Sequence, residues 1–379
     1  VPDLWDRLAM SDADIYHIER ASHRVGDQGL LLRWRELLAE SESPGRLYQS
    51  PEFFDYLLAT AADDGPPELL LLRERAGGAI VGVIPIALRR HSFNFAAGRR
   101  QLARVAIPSI VLLGSAPLMP ARTELFALLL RFLLAEYPRH QAVSLTALPQ
   151  DSTLWRCINS TGDFARGYQL HLLNDWRDCH QIPLPATFEH FMSQFSSKRR
   201  YNLKRQQRQL RDHGQGRLDF HCIEHPGQLD MLRTALAALT TPAHRSELWT
   251  EADLLGFARR GMLLCYQLDC CGQACALMLG LRSGGTLYLF NILHDSALDH
   301  LSVGTTMLHL AIEDLCDRRH FSMIDLGYGT PGHSYQSTNV TVQRAHLLLM
   351  RRNLRNRLAS QLHHGFASAI DWLKKNKKR

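Results

Sequence analysis

Two stretches of this 379-residue chain run through the same order of elements, and that repetition limits the fold more than any single motif. In the first, Glu68 to Arg75 and Ala79 to Leu88 read as strands joined at Gly77-Gly78, because β-rich runs flank a Gly-Gly turn. Ile110 to Gly114 follows as a strand, Leu125 to Glu136 as a helix and Ala142 to Leu148 as a strand. In the second, Met262 to Leu268 and Gln273 to Leu281 pair around Cys271-Gly272. Thr286 to Leu293 is then a strand, Thr305 to Cys316 a helix and Phe321 to Leu326 a strand. Hairpin, strand, helix, strand, twice over, predicts an α/β (α+β) chain of two tandem units, each a mixed, mostly antiparallel twisted sheet flanked by helices. The length agrees, since one core rarely grows to this size. No Gly/Ser- or Pro-rich linker marks the junction, which is placed near Phe164 to Tyr168. The expected division is 1–165, 166–355, and a helix with a basic tail over 356–379.

Other local signals are plainer. Asp3 to Glu40 carries an apolar stripe of Leu30, Leu31, Trp34, Leu37 and Leu38 at helical spacing. Ser50-Pro51-Glu52 is a helix start, with a cap, a proline at the first position and an acid in the first turn. Pro85 inside the Ala79 to Leu88 strand predicts an edge or bulge position.

Charge is concentrated in two places. Phe188, Phe191, Met192 and Phe195 predict a short buried helix, Ser196-Ser197 a cap, and a second helix follows in which seven of the fourteen residues Lys198 to Arg211 are basic and none acidic. Cations in a first helical turn oppose the helix dipole, so an anionic ligand, neighbouring carboxylates or solvent must compensate. A solvated face is the simpler reading and anion binding the functional one. The second concentration is Lys374 to Arg379, after Ile370, Trp372 and Leu373. It reads as a solvated end, with peripheral membrane contact as the alternative. The net charge of +7 favours acidic partners. No helix-turn-helix or aromatic single-strand platform accompanies the basic helix, so no DNA partner is expected.

No apolar run reaches the roughly 20 residues that span a bilayer, and no signal-like start is visible. Eight cysteines without a visible secretory signal lead to the expectation of reduced thiols in the cytoplasm. Cys265, Cys270, Cys271 and Cys275 lack the C-x2-C spacing of a zinc knuckle, and no metal is expected.

The chemistry-bearing residues cluster in the second half. After the strand holding Asn291 comes Ser302-Val303-Gly304-Thr305-Thr306, opening a helix. Glycine and hydroxyl residues at a strand-to-helix junction expose N–H groups at the positive helix end, where an ordinary N-cap and a pyrophosphate site look alike. Further on, Ile324-Asp325-Leu326-Gly327-Tyr328-Gly329 runs into Thr330 to Asn339, a Gly-rich loop holding His333, Tyr335 and Gln336. It puts a carboxylate and polar groups at a sheet edge.

Ser196-Ser197-Lys198-Arg199-Arg200-Tyr201-Asn202-Leu203-Lys204-Arg205 resembles the S-x-K-x-R-x-N-[IL]-[RK]-[RK] signature of CelD-like acyltransferases, members of the GNAT superfamily related to Fem-type peptidoglycan aminoacyl transferases. Ser50-Pro51-Glu52-Phe53, the Gly82 to Ile86 strand and the Asp325-Leu326-Gly327-Tyr328-Gly329 element resemble the same group. His300 to Thr305 keeps only the glycine of the usual [RQ]-x-x-G-x-[GA] loop, and Gln336 stands where the group has lysine. The resemblance implies tandem GNAT-like domains, the first degenerate, and N-acyl transfer from acyl-CoA, acetyl-CoA in the simplest case, to an amine of a sugar, peptide or small molecule. Envelope or polysaccharide biosynthesis is the setting it suggests. It implies Asp325 as base or orienting carboxylate, with His333 as competitor, and Tyr335 as acid or oxyanion donor. Asn291, Ser302, Val303, Gly304, Thr305 and Thr306 would hold the donor. Lys198, Arg199, Asn202, Arg205, Tyr328 and Gln336 would line the substrate channel. The altered loop leaves open a carrier protein or aminoacyl-tRNA as donor, or a scaffold without activity. A hydrolase is disfavoured, since no G-x-S-x-G element exists.

Overall fold

The computed structural model describes residues 15–41, 43, 45–61, 65–97, 100–160, 167–173, 175–245, 248–328 and 340–376. The chain forms two compact units, one of Val1–Trp176 with Gln343–Arg379, the other of Arg177–Val342. This division differs from the sequence expectation. Residues 166–176 and 343–355 fall with the first unit, and no composition shift announces either crossing.

In the first unit, strands β1 (Tyr16–Arg20), β2 (Glu68–Glu74), β3 (Ile80–Ala97), β4 (Arg100–Leu112) and β5 (Ala142–Pro149) lie side by side in that order. The segment from Gln343 belongs to β13 (Val340–Arg351), which pairs antiparallel with β5, and β6 (Tyr168–Leu172) pairs with its end. Among the described pairings of this unit β4 and β5 are parallel, Ser109 opposite Ala142 through Leu112 opposite Leu145, and the others antiparallel. The continuous leucines of β2 are explained by two covered faces. Leu70 and Leu72 pack with Leu125, Phe126, Leu129 and Leu130 of the helix that follows β4. Leu69 and Leu71 pack with Leu30, Trp34 and Phe54, on two helices that precede β2.

Those two helices are α1 (Gln28–Glu40) and α2 (Pro51–Ala59), and the one after β4 is α3 (Thr123–Glu136). The start of α2 is the one expected, Ser50 Oγ accepting from the Phe53 amide at 3.1 Å. The Asp3 to Glu40 helix is corrected over Tyr16–Arg20, which is strand β1, while residues 1–14 lie outside the described residues. Tyr16 and Ile18 alternate onto the core and pair with β2, so tertiary pairing outweighs the helical pattern. Pro85 lies in an interior strand, just beyond the last β3–β4 pair at Ile86 and Leu112, so its missing N–H costs no ladder bond to β4.

In the second unit the order is β7 (Arg177–Pro183), β12 (Met323–Tyr328), β11 (Thr286–His294), β10 (Gln273–Ser283), β9 (Cys265–Cys270), β8 (Leu218–Ile223). Among the described pairings here, β11 with β12 is parallel and the others are antiparallel. A short helix α4 (Thr153–Ser160) belongs to the first unit; α5 (Phe188–Ser193) and α6 (Ser197–His213) open the second. Helices α7 (Leu229–Leu239), α8 (Glu251–Arg259) and α9 (Val303–Asp317) follow. Leu203 and Leu210 of α6, with Met307, Leu308, Ala311, Ile312 and Leu315 of α9, cover one face of the sheet over Tyr266, Met278, Leu287 and Ile324. Helix α7 packs against β10. Cys265 and Cys275 are buried here as small hydrophobes, burial pushing both thiols up to about 12.

The far end of α9 is tied by a partly buried ion cluster. Arg318 donates to Asp314 at 2.6 Å and to Glu224 at 2.8 Å, Arg282 reaches the other Glu224 oxygen at 2.5 Å, and the Tyr266 hydroxyl donates to Asp314 at 2.7 Å. Among the described residues no helix is long and apolar enough to cross a membrane.

Candidate active site

The site follows from how the parallel strands of the second unit part. Thr286, Leu287 and Tyr288 face Met323, Ile324 and Asp325, and there the pairing ends. Beyond it β11 stays with β10 and β12 stays with β7, which opens a crevice at the carboxyl ends of the two strands. Such a crevice is where open α/β sheets bind ligands. A β-bulge sits at the same point. Leu279 pairs with Asn291 and Gly280 with Leu289, so Phe290 is the extra residue, outside the ladder. Asn291 is half-buried beside it, and Phe290 is exposed with its ring on Trp249.

From β11 the chain turns through Asp295, whose carboxylate accepts from the Ala297 amide at 3.0 Å, and reaches Ser302 in the left-handed conformation, φ 56°. Helix α9 starts immediately after. No side chain caps its first turn and no acid lies in it. The Ser302 hydroxyl is engaged from the side, accepting from Gln206 Nε2 of α6 at 3.1 Å. The positive helix end thus sits beside the basic helix. Gly304 is half-buried, and a Cβ there would make only ordinary contact, 3.5 Å from the His294 ring. The protein's own packing does not demand this glycine.

Residues 197–336 match the acetyltransferase (GNAT) domain family. This part of the chain is a GNAT-type acyltransferase domain. Its fold extends over both units. FemX matches 88% of this chain and 98% of its own at a TM-score of 0.57 and 8% identity. A tandem GNAT protein from the clavulanic acid biosynthesis pathway matches 89% and 98% at 0.52 and 12%. A C-terminal domain from Agrobacterium fabrum, named for lysylphosphatidylglycerol synthetase, matches 90% and 96% at 0.51 and 10%. At these identities the three likenesses establish the tandem GNAT fold and nothing finer. No curated protein sequence matches the chain.

Within the GNAT domain the expected site residues separate by environment. Ser302, Gly304 and Thr305 are half-buried at the junction, whereas the Val303 side chain belongs to the core at 1% exposure and only its backbone could meet a ligand. Thr306 is 2% exposed, and its Oγ1 makes no hydrogen bond. Lys198 and Arg205 are exposed on α6; Asn202 is half-buried one turn before Gln206 on the same face. The Arg199 guanidinium lies 4.8 Å from the Phe195 ring centroid. His333, Tyr335 and Gln336 lie outside the described residues.

Asp325 is 4% exposed at the parting of the strands. One oxygen accepts from Gln181 Nε2 at 3.0 Å, the other from the Gly327 amide at 2.9 Å. Gly327 has φ 66°, a conformation glycine adopts without penalty, and the β12–β7 register shifts here. The carboxylate thereby fixes the bend that leads toward residue 329. Tyr328 follows, its ring 5.8 Å from the Arg177 guanidinium.

Three residues near this machinery were not singled out from the sequence. Gln206 and Gln181 are ordinary amides whose partners are distant in sequence; Gln206 alone had a signal, its i+4 spacing from Asn202. His309 of α9 is 5% exposed against Phe188, ring centroids 5.1 Å apart. Burial, and then the charge of Lys204, push its pKa down to about 4.

Proposed function

We propose that this chain transfers an acyl group, acetyl in the simplest case, from acyl-CoA to an amine of a sugar, peptide or small-molecule acceptor, as its CelD-like resemblance implies. The observation that carries the reading is the first turn of α9: no side-chain cap, no acid, the basic helix α6 alongside, at the point where β11 and β12 part. The donor's pyrophosphate would lie on the amides of Val303, Gly304 and Thr305. The amine adds to the thioester carbonyl, and the tetrahedral intermediate collapses to the amide with expulsion of the thiolate. The amine's proton passes to a base, and the thiolate takes one from an acid. Asp325, with both oxygens accepting hydrogen bonds, suits the orienting role better than that of a free base. His333 and Tyr335 are then the proposed base and acid. Asn202, Arg199, Arg205, Lys198, Tyr328 and Gln336 are proposed to line the acceptor side. The altered loop and the neighbouring cations of α6 give a second reading, a donor carried on tRNA or a carrier protein.

Calorimetric titration with acetyl-CoA and free CoA, against the wild type and Gly304→Asp, decides between them. Binding lost in the variant supports the CoA reading. Absence of binding to either ligand removes it in favour of a larger donor, or of a scaffold without activity.

A further inference from the structure

Among the described residues, ten large hydrophobic side chains are exposed, and three of them share one helix. On α10 (Leu354–Asn376), Leu354 is 74% exposed, Leu358 49% and Leu362 64%. Spaced i, i+4 and i+8, they form a stripe about 12 Å long whose members are about 40° apart around the helix. The opposite face holds the helix to the first unit. Asn356 and Ala359 are buried, Ser360 Oγ is 2.8 Å from His171 Nδ1, and the rings of His363 and Phe366 meet Phe93 and Phe95 at 4.9 and 5.4 Å. The outward leucines are therefore not needed to dock the helix.

Charge identifies what covers them. Residues 351–379 contain nine Lys or Arg and one acid, Asp371, a net +8 beside +7 for the whole chain, so residues 1–350 together carry −1. Arg355 and Arg357, both exposed, fall on the two flanks of the leucine stripe. An apolar stripe edged by cations on an already folded helix matches the interface of an anionic lipid bilayer, where leucines enter the acyl boundary and guanidiniums meet the headgroups. We infer that α10 docks the protein on an anionic membrane surface through Leu354, Leu358 and Leu362, steered by Arg355, Arg357 and the other cations of residues 351–379. This surface is independent of the acyltransferase crevice, and its test does not depend on activity.

The full chain is sedimented with vesicles of phosphatidylcholine containing phosphatidylglycerol and with vesicles of phosphatidylcholine alone. Binding to the first only is expected. The triple variant Leu354→Ser, Leu358→Ser, Leu362→Ser should lower partition at least ~tenfold at low and high salt, with an unchanged circular dichroism spectrum. The pair Arg355→Ala and Arg357→Ala should lower it at low salt and matter little at high salt. No sedimentation of the wild type, or equal sedimentation of the triple variant, overturns the inference. Self-association in light scattering that the triple variant abolishes also overturns it, by assigning the stripe to a second copy of the chain.

Discussion

Both units start a helix beyond a short parallel strand pair, and the two starts differ in charge. In the first, β4 and β5 run parallel over four pairs and α3 starts beyond them; in the second, β11 and β12 pair over three and α9 starts. The helix starts differ. Glu124 lies in the first turn of α3, paired with Arg122 at 3.7 Å, whereas α9 has no acid there. The connections differ as well. After β4, Gly114 and Ser115 take φ of 74° and 79°, and Leu118 enters the core while its carbonyl accepts from the Val83 amide at 2.8 Å. That loop is committed to packing; Gly45 approaches Gly114 so closely that any Cβ would collide. What remains is a cavity of about 750 Å³ with Leu37, Val81, Met119 and Phe126 in its wall and both Arg33 and Arg156 and Glu40 and Asp151 at its polar side. In the second unit the bulge at Phe290 and the uncapped helix leave backbone groups at the crevice instead. A shared topology therefore carries different loop chemistry in the two units.

The difference can be broken at several points. Asp325→Asn should give the largest effect, a fall in kcat of about a hundredfold with the fold retained, because an amide cannot accept from both Gln181 and Gly327. Near-normal turnover in a steady-state assay would remove Asp325 from the functional residues. Gly304→Asp should weaken donor binding at least ~tenfold by placing an acid where α3 already has one. Glu124→Gln in the first unit should leave donor affinity unchanged; a second binding event in calorimetry would erase the contrast between the units.

Acid should act on the buried His309 of α9. A histidine whose folded pKa is about 4, below the unfolded value near 6.5, stabilises above the unfolded value, and that contribution is lost as pH falls from about 6.5 through 4. The loss is on the order of 3 kcal/mol when fully expressed. His309→Phe should remove this contribution and flatten the pH dependence of Tm, while His91 and His140 of the first unit, whose pKa values burial also lowers, leave a remainder of the same sign. Gln206→Ala should cost only about 1 kcal/mol in donor affinity, through release of Ser302. Its calorimetric signature should resemble a weak Gly304→Asp.

The strands flanked by Gly turns and the apolar helices α3 and α9 were legible because their periodicity is local. The β3–β4 hairpin extended far past the expected strand ends. Phe93, Phe95, Val105 and Ile107 alternate there among arginines and polar residues, a pattern that gains meaning only when α10 covers one side. Strand β13 was also missed, since Leu347 to Met350 is a short apolar run that periodicity cannot assign. Of the candidate site, Ser302, Gly304 and Asp325 stood out by residue type at a strand end or helix start. Gln181 and Gln206 did not, being 144 and 96 residues from their partners.

The sequence by itself determined the tandem order of elements, the basic helix and its capping serine, and the Asp325-Leu326-Gly327 stretch near the end of β12, all of which rest on neighbours within a few residues. The tertiary structure alone decided that residues 343–379 join the first unit and that Val303 turns into the core while its neighbours stay accessible. It alone set Asp325 as a doubly hydrogen-bonded carboxylate and left Leu354, Leu358 and Leu362 facing outward. Those outcomes depend on which surfaces meet across long stretches of chain, and local propensity holds no record of that.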